Sequence, residues 1–306
     1  MLTCDSYHMP TGLEEALTIW ASAPEGSRLV SGATDILPWA REGRAGDVHL
    51  PALIDVTRIS ELDGYSFEGG RVRLGANVVY QDFLTEGPLM RSLPCMPHCA
   101  IWFADDQIRE QASLTGNLVN ASPVADGTPA VVALNGEIEL ARLEGGEIVR
   151  RSVPVVDFIE GPGRTQIAAG EIATAVTLDA TNGYGGSFQK VGQRRSLVIS
   201  VACCAALVKT DREGRVFEDV RLALGGVGPR PIRMRDVEQA LRGERISHAL
   251  IERVSKAAAD EVGSRSRQEY RREVVVNFVR AALEDALANQ PDISVNFEDA
   301  KEQAHV

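Results

Sequence analysis

The stretch that decides the fold reads ASLTGNLVNASPVAD over residues 112–126, and the aromatic run WFA at 102–104 precedes it. Its small residues allow a tight turn that directs several backbone N–H groups at one point. Asp126 then supplies a single carboxylate. A nest of backbone donors, an aromatic anchor and one acid are together typical of a site that holds a phosphorylated cofactor.

A second loop of the same kind lies upstream, in LVSGATDI over residues 29–36. A strand candidate at 28–30 runs directly into small residues, and a helix candidate begins at Ile36, which is the layout of a phosphate cradle. Two such nests suit a diphosphate better than a lone phosphate. Taken alone, either loop is more typical of an ordinary structural turn.

The sequence lacks the common nucleotide and hydrolase motifs. GGVG at 225–228 does not have the G-x-G-x-x-G spacing, and no G-x-x-x-x-G-K-[ST] occurs. There is likewise no G-x-S-x-G elbow and no H-E-x-x-H. These gaps argue against a nicotinamide-binding Rossmann domain, a P-loop nucleotidase and a hydrolase with its own nucleophile.

Charge and cysteine content limit the partners and the compartment. A net charge of −11 with a pI near 5.1 argues against nucleic acid or an anionic membrane as the partner. No apolar run reaches the roughly 18 residues of a membrane span, and the N-terminus has no secretory pattern. Five cysteines, an odd number without a framework, suit a reducing compartment, so we expect a cytoplasmic protein.

A metal site is the weaker interpretation of the cysteines. Cys95, His98 and Cys99, with Cys4 and His8 far upstream, carry zinc-type ligands, but their spacing matches no standard zinc knuckle. An iron–sulfur cluster within this chain is disfavoured as well, because such clusters need four ligands and no cysteine-rich run is present.

Periodicity divides the chain into helices, strands and turns. A capping box of Thr11 and Glu14 predicts a helix over 13–23, and a glycine-rich break at 181–186 predicts a domain boundary. Further strands are predicted at 53–56, 71–76, 137–143, 147–153, 187–191, 198–208 and 216–224, and helices at 80–84, 90–103, 129–134, 247–262 and 274–287. The resulting limits are 1–57 and 58–180 for two subdomains, 181–289 for a C-terminal domain, and 290–306 for a polar tail that is flexible or straps over a partner.

Two charged residues have open roles at this point. Asp126 either caps the helix that follows it or accepts a hydrogen bond from a cofactor. Lys190, at the end of the strand predicted over 187–191, is by its position alone an ordinary exposed lysine.

Several segments, in order, resemble one protein family: the FAD-binding medium subunit of the molybdenum hydroxylases. This group includes xanthine dehydrogenase, carbon monoxide dehydrogenase, aldehyde oxidoreductases and bacterial N-heterocycle dehydrogenases. The segments are LVSGATDI at 29–36, LIDV at 53–56, residues 102–126, FQKVGQR at 188–194, GGVGPRPIR at 225–233 and YRR at 270–272. The resemblance implies an α+β fold, in which a two-subdomain FAD-binding fold of the PCMH or vanillyl-alcohol-oxidase type precedes a smaller α+β C-terminal domain.

The same resemblance implies which residues hold FAD. Phe103 would lie beside the cofactor, Asp126 would hydrogen-bond it, Ala173 would touch it through the backbone, and Lys190 would lie near the flavin end. The diphosphate would lie between two loops, made of Leu29, Val30, Ser31, Gly32, Ala33, Thr34, Asp35 and Ile36, and of Ser113, Leu114, Thr115, Gly116 and Asn117. No catalytic residue and no metal ligand is expected in this chain.

The chain departs from the family pattern at two positions. The family usually has glycine where this chain has Ala33 and Thr115, and the added methyl groups restrict positive φ, which is expected to shift the diphosphate or weaken its binding. The first loop has no histidine, unlike flavoprotein oxidases of this broad fold that attach FAD covalently. The flavin is therefore expected to be non-covalent.

The resemblance implies that the chain is an electron-transfer subunit of an oxidoreductase. A large partner subunit would carry a molybdopterin-type molybdenum cofactor that hydroxylates the substrate, and a small partner subunit would carry 2Fe-2S clusters that pass electrons to FAD in this chain. NAD or another acceptor would then take the electrons. A dimer of heterotrimers, that is a heterohexamer, is the expected assembly. Two alternatives stay open: a self-sufficient flavin oxidoreductase of the same fold, and a scaffold subunit without flavin.

Overall fold

The first sheet of the chain is parallel and three-stranded, in a computed structural model that describes residues 1–41, 48–194, 197–263 and 266–298. The strand order is β1-β3-β2, and both neighbouring pairs run parallel. The elements are β1 (Leu2–His8), α1 (Leu13–Ser22), β2 (Arg28–Val30), α2 (Ile36–Arg41) and β3 (Val48–Asp55). The predicted strand at 28–30 is confirmed, and the one at 53–56 is the end of a longer strand. Strand β1 is not predicted from the sequence, because LTCDSYH has too few apolar residues to show alternation.

Helix α1 forms where the periodicity predicts it, but the predicted capping box is wrong. Gly12 is the N-cap, and it has no side chain with which to cap. The N–H of Leu13 donates instead to Glu61 Oε1 at 3.1 Å, and the N–H of Thr11 donates to Glu15. Glu15 thus accepts the N–H of Thr11 that Glu14 was expected to accept, and a carboxylate from a distant turn satisfies the first donor of the helix.

The second sheet is antiparallel and five-stranded, with the order β4-β5-β10-β6-β7. Short helices between β5 and β6 contribute to the same core. The helix predicted over 90–103 is two helices, because Pro94 lies between them and proline cannot supply the N–H that would continue the first one. The elements are β4 (Tyr65–Glu68), β5 (Arg71–Gly75), α3 (Asp82–Thr85), α4 (Gly87–Ser92), α5 (Cys95–Trp102), α6 (Asp106–Arg109), α7 (Leu114–Asn120), α8 (Gly127–Ala133), β6 (Glu137–Glu144), β7 (Glu147–Pro154), α9 (Val155–Phe158), β8 (Ile159–Gly161), β9 (Arg164–Thr165) and β10 (Ile172–Asp179).

The third sheet is antiparallel and four-stranded, with the order β11-β12-β13-β14. Helix α12 packs on β11 and β12, and α10 packs on β13. The strand predicted over 198–208 begins only at Ala202, so residues 197–201 form a connection, and the helix predicted over 247–262 ends at Ser255. The elements are β11 (Gly185–Val191), β12 (Ala202–Thr210), β13 (Phe217–Gly225), β14 (Ile232–Arg233), α10 (Arg235–Leu241), α11 (His248–Ser255) and α12 (Gln268–Ala288).

Shared apolar cores join these layers. The largest buried cluster runs from the five-stranded sheet through the short helices to Phe188, Cys203 and Ala223 on the third sheet. A smaller cluster packs α1 against β6 and the start of β10 in the five-stranded sheet. The cores therefore fix the third sheet against α5 and α8, and this placement matters for the site described below.

The segment predicted as a polar tail follows the chain's own third sheet as far as residue 298. Gln290 is buried and accepts a hydrogen bond from the N–H of Thr210, and the N–H of Asn296 donates to Gly214 O. Phe297 stacks on His248 with ring centroids 4.0 Å apart. Residues 290–298 are thus a strap over this chain itself, whereas residues 299–306 lie outside the described residues. The four predicted domain limits stay predictions.

No helix within the described ranges is both long and apolar enough to cross a membrane.

Candidate cofactor site

The first predicted loop connects β2 to α2 and presents free backbone donors. In the described part of the chain, the N–H groups of Gly32, Ala33 and Thr34 donate no hydrogen bond. Ala33 has a φ of +54°, which is the left-handed region, and its carbonyl accepts the N–H of Leu37 at the start of α2. Three unpaired donors in one turn form a concavity suited to an anion.

The other members of the first loop frame this turn. Leu29 and Val30 are half-buried on β2, where Leu29 packs against the small core beside α1. Ile36 opens α2. Asp35 stands at the end of the turn, and desolvation raises the pKa of its carboxyl. The expected glycine at position 33 is absent, yet the left-handed backbone is kept.

The second predicted loop opens helix α7. Ser113 is the N-cap, and its hydroxyl oxygen accepts the N–H of Gly116 at 3.1 Å, while its carbonyl accepts the N–H of Asn117. Leu114 and Thr115 are buried under the turn, and Thr115 is only 4 % exposed. Thr115 therefore packs as a helix residue, and positive φ is not required of it.

Close backbone contact brings the two loops together. A Cβ placed on Gly32 would lie 1.8 Å from the carbonyl oxygen of Gln111, which no side chain can tolerate. The carbonyl of Gln111 is backbone, so it cannot turn aside as a flexible side chain would. Gly32 is thus glycine because the first loop touches the chain just before Ser113.

A short segment after β5, which sequence reasoning missed, braces both loops. Ser31 donates its hydroxyl to Asn77 Oδ1 at 3.1 Å. The carbonyl of Val78 accepts the N–H of Leu114 at 3.0 Å, and Val79 forms an antiparallel bridge with Ser113. The only signal in the sequence is the Gly75-Ala76-Asn77 run, which indicates a turn without naming its partners.

Ala173 lies next to this brace. It stands near the start of β10, opposite Leu140 and just before an irregularity in the pairing with β6. The following carbonyl, that of Thr174, accepts the N–H of Ala76 at 3.1 Å. The structure therefore places Ala173 on the central strand of the five-stranded sheet, at the end where the segment after β5 holds the two loops.

An aromatic pair extends the site from the second loop. Phe103 stacks on Tyr80 with ring centroids 3.7 Å apart and an angle of 2° between the planes. The Tyr80 hydroxyl donates to Asn117 Oδ1 at 2.9 Å. A Cβ on Gly127 would lie 2.0 Å from that hydroxyl oxygen, so the residue after Asp126 also packs here. Burial raises the pKa of Tyr80 well above its ordinary value, so the phenol stays neutral.

Asp126 and Lys190 form a buried ion pair at the far end of the site. Lys190 Nζ lies 2.5 Å from Asp126 Oδ2, and it also donates to the carbonyl of Trp102 at 2.9 Å. The Lys190 side chain is 1 % exposed, so it is not the exposed lysine that its strand position alone predicts. The Asp126 carboxylate makes no helix cap on α8, so that alternative is wrong. Ser200, another residue that the sequence did not single out, donates to the second carboxylate oxygen at 2.5 Å.

Electrostatics at this pair act in opposite directions. Burial raises the pKa of Asp126, and the Lys190 ammonium, the hydrogen bond from Lys190 and the hydrogen bond from Ser200 lower it. In a buried ion pair, the attraction between the charges and the added hydrogen bonds offset the cost of removing both groups from water. Removing either partner would leave an unpaired charge in a medium of low dielectric constant.

The candidate zinc ligands lie apart from one another or face elsewhere. Cys95 and Cys99 are buried thiols that point at the carbonyls of Ala130 and Asp126, and Cys4 belongs to β1 in the first sheet. Burial raises the pKa of Cys95 to about 12. Among residues 1–41, 48–194, 197–263 and 266–298, no three His, Cys, Asp or Glu side chains are grouped so that they could hold a metal ion.

The donor set fits an elongated ligand with a diphosphate. One end of the site offers the unpaired backbone N–H groups of the first loop, where Gly32 packs directly on the carbonyl of Gln111. The other end offers a carboxylate with a lysine, beside a stacked aromatic pair. Nests of backbone N–H groups bind phosphate oxygens, and a fixed carboxylate accepts hydrogen bonds from ring or hydroxyl donors. FAD has both kinds of group.

Comparison with known proteins gives two family matches that together cover most of the chain. Residues 3–179 match the FAD binding domain in molybdopterin dehydrogenase. Residues 187–286 match the CO dehydrogenase flavoprotein C-terminal domain.

Two relatives match along nearly their whole length. The glyceraldehyde dehydrogenase medium chain of Sulfolobus acidocaldarius is 28% identical over 284 residues, which is 92% of this chain and 97% of the relative. The xanthine dehydrogenase FAD-binding subunit of Escherichia coli is 26% identical over 290 residues, which is 92% of this chain and 96% of the relative.

A solved structure shows the same fold. A chain of the carbon monoxide dehydrogenase from Hydrogenophaga pseudoflava superposes with a TM-score of 0.84 at 24% identity, over 93% of this chain and 98% of that chain. The expected α+β fold, with an FAD-binding part and a C-terminal domain, is thereby confirmed.

Proposed function

Because this chain belongs to the family of FAD-binding domains of molybdopterin dehydrogenases, we propose that it holds one FAD, without a covalent bond, across the site described above. The diphosphate would lie between the loops at 31–35 and 113–117, here called the phosphate end. The isoalloxazine ring would lie toward Lys190, Asp126 and Ser200, here called the flavin end. The close approach of Gly32 to Gln111 carries this assignment, because it brings the first loop, with its unpaired N–H groups, against the chain just before the start of α7. In the second loop the N–H groups of Leu114, Gly116 and Asn117 already have partners, so the free donors come mainly from the first loop.

The chain's own residues would bind and orient the cofactor. The free N–H groups of Gly32, Ala33 and Thr34 would donate to phosphate oxygens, and Phe103 would limit solvent access on one side. Asp126 would accept a hydrogen bond while Lys190 balances its charge. FAD supplies the ability to take electrons singly and release a pair, which no side chain of this protein supplies.

The relatives' names support a place in a larger oxidoreductase. They are medium chains or FAD-binding subunits of dehydrogenases, which indicates partner subunits of other sizes. We infer that this chain works with a large subunit carrying the molybdenum cofactor and a small subunit carrying 2Fe-2S clusters, as a cytoplasmic dimer of heterotrimers. Electrons would reach the flavin end from the small subunit and leave to NAD or another acceptor.

A substitution at the flavin end tests the cofactor assignment. Asp126→Ala is expected to lower the FAD content of the purified protein, because the acceptor is lost and Lys190 is left unpaired. The matched control is Asp236→Ala, at an exposed acid in the first turn of α10, which is expected to keep the FAD content. FAD is measured by its absorbance after acid precipitation, and folding by circular dichroism. Unchanged flavin in a folded Asp126→Ala variant would remove Asp126 from the site.

The inferred assembly is tested separately. Purification of the chain at its native expression level, followed by metal analysis and mass spectrometry, is expected to yield two further subunits with molybdenum and iron. A monomeric flavoprotein that oxidises an organic substrate by itself would contradict the assembly while leaving the FAD site in place.

A further inference from the structure

A buried serine reaches the carboxylate of the flavin end from the other domain. Ser200 lies in the connection between β11 and β12 and is 3 % exposed. Its hydroxyl donates to Asp126 Oδ1 at 2.5 Å across 74 residues of sequence. Asp126 precedes α8 in the region that matches the FAD-binding family, and Ser200 lies in the region that matches the C-terminal domain.

We propose that Ser200 is a positioning residue for the cofactor, whose hydroxyl fixes the orientation of the Asp126 carboxylate and thereby the acceptor that this carboxylate offers to FAD. The inference rests on the proposed function, and it adds a residue of the C-terminal domain to the determinants of flavin binding. Ser200 itself is not required to touch the cofactor.

Two separate donors hold the two oxygens of Asp126. Lys190 Nζ binds Oδ2, and the same ammonium is anchored on the carbonyl of Trp102. Rotation of an aspartate carboxylate about the Cβ–Cγ bond, the χ2 torsion, has a broad energy profile. A single donor would therefore leave the plane of the carboxylate free to rotate, and the second donor, Ser200, removes that freedom.

The carboxylate keeps acceptor capacity after both contacts are made. An ionised carboxylate offers about four lone-pair positions, of which Ser200 and Lys190 use one each. The remaining positions point in directions set by the plane of the group. Fixing that plane selects which ring or hydroxyl donor of a cofactor can be bound.

Ser200 also helps to keep Asp126 ionised. Burial raises the pKa of Asp126, and the hydroxyl of Ser200 lowers it together with Lys190. The other titratable groups that face the carboxylate are Tyr80, Cys99 and Cys203, and burial raises the pKa of each, so they remain neutral. Without the serine hydroxyl, Asp126 takes up a proton at a higher pH and loses its ionic contact with Lys190.

The test compares FAD affinity in variants of the full chain. Flavin is removed from the protein, FAD is added back, and the dissociation constant is measured by quenching of flavin fluorescence. Ser200→Ala is expected to weaken FAD binding about tenfold, which corresponds to one lost hydrogen bond to a charged group. Ser200→Thr keeps the hydroxyl and is expected to restore affinity to within about threefold of the wild type. Ser187→Ala, which removes a buried hydroxyl bonded to the carbonyl of Ala282, is the matched control and should leave FAD affinity unchanged.

A double-mutant cycle separates positioning from general packing. In an Asp126→Ala background, Ser200→Ala should weaken FAD binding further by less than about twofold, because the oxygen through which Ser200 acts has been removed. If Ser200→Ala does not fold, Ser200→Cys takes its place, since cysteine keeps the volume but offers only a weak donor. Wild-type affinity in the Ala or Cys variant, or full additivity with Asp126→Ala, would overturn the inference. A wild-type chain that binds no FAD would instead overturn the proposed function.

Discussion

The phosphate end presents backbone N–H groups around a glycine packed on the carbonyl of Gln111, whereas the flavin end presents Lys190, Asp126 and Ser200 in a buried contact between two domains. The first has no buried charge pair within residues 31–35 and 113–117, and the segment after β5 braces both of its loops. The second needs two domains to be packed together before its charges can meet. The phosphate end should therefore respond to backbone shape, and the flavin end to charge and to domain packing.

The largest effect is expected at the flavin end, from Lys190→Met. The substitution leaves the buried Asp126 carboxylate without its cation, which costs about 3–5 kcal/mol of unfolding free energy for a buried pair. Lys209→Met on the neighbouring strand is the matched control, because Lys209 and Glu218 are both nearly half-exposed and such a pair contributes about 0–1 kcal/mol. Denaturant unfolding measures both. Equal losses of unfolding free energy in the two variants would show that the buried pair contributes no more to stability than the surface pair.

The next effect is expected at the phosphate end, from Gly32→Ala. The added methyl group would overlap the Gln111 carbonyl, so the two loops must separate, at a cost of about 1–3 kcal/mol in stability. FAD affinity should fall with it, because the donors no longer converge. Gly263→Ala serves as the control, since its Cβ would meet no atom within 4 Å. Wild-type FAD affinity in Gly32→Ala would move the phosphate site elsewhere.

The pH dependence of FAD affinity should come from one end only. Burial raises the pKa of Asp126, so this carboxyl becomes protonated at a higher pH than an exposed aspartate, and FAD affinity should fall as pH is lowered through that value. Backbone N–H groups do not titrate, so Gly32→Ala should weaken binding by the same factor at every pH. The pKa of Asp126 is higher in the folded than in the unfolded protein, so protonation of Asp126 taken alone favours the folded state. The expected loss of FAD affinity at low pH is therefore not caused by unfolding.

Fluorescence titrations of FAD over a series of pH values measure this dependence. The acid limb should vanish in Asp126→Asn, which cannot take up the proton. An acid limb of the same steepness in wild type and Asp126→Asn would place the titrating group elsewhere.

The smallest effect is expected from Ala33→Gly, at the left-handed position of the first loop. A left-handed backbone costs an alanine about 1–2 kcal/mol, and glycine relieves that cost while adding about 0.5–1 kcal/mol of unfolded-state entropy. The expected result is a gain in stability of less than about 1 kcal/mol with FAD affinity kept or improved. Ala23→Gly, at a φ of −67°, is the control and should lose about 0.5–1 kcal/mol. A stability loss of similar size in both variants would show that position 33 carries no strain.

The same contrast explains what the sequence alone could predict. The local sequence pattern predicts the strand, turn and helix around residues 28–41, and it also predicts the turn that opens α7. The local sequence leaves Asp126 two open roles, a helix cap or a cofactor contact, and Lys190 is assigned to the site only through the resemblance. Nothing local to either residue indicates that the two side chains meet. At position 33 the sequence is misleading in another way. Alanine replaces the family's usual glycine, yet it adopts the left-handed backbone expected of glycine.

The residues that sequence reasoning missed all act over long separations. Ser31 and Asn77 are 46 residues apart, and Asp126 and Ser200 are 74 residues apart. Tyr80 was expected in a helical pattern, although its ring supports Phe103 and its hydroxyl reaches Asn117. Strand β1 is not predicted because its half-buried face continues from Leu2 and Cys4 into the polar Ser6 and His8. Contacts of this kind depend on how sheets pack, which periodicity does not report.

Whether the chain holds FAD is decided by the visible absorption spectrum of the purified protein, with acid precipitation and mass identification of whatever enters the supernatant. We expect a yellow protein that releases intact FAD, because backbone donors and a buried ion pair would hold the cofactor without a covalent bond. A colourless protein that takes up no added FAD, or a flavin that stays with the precipitate, would contradict it.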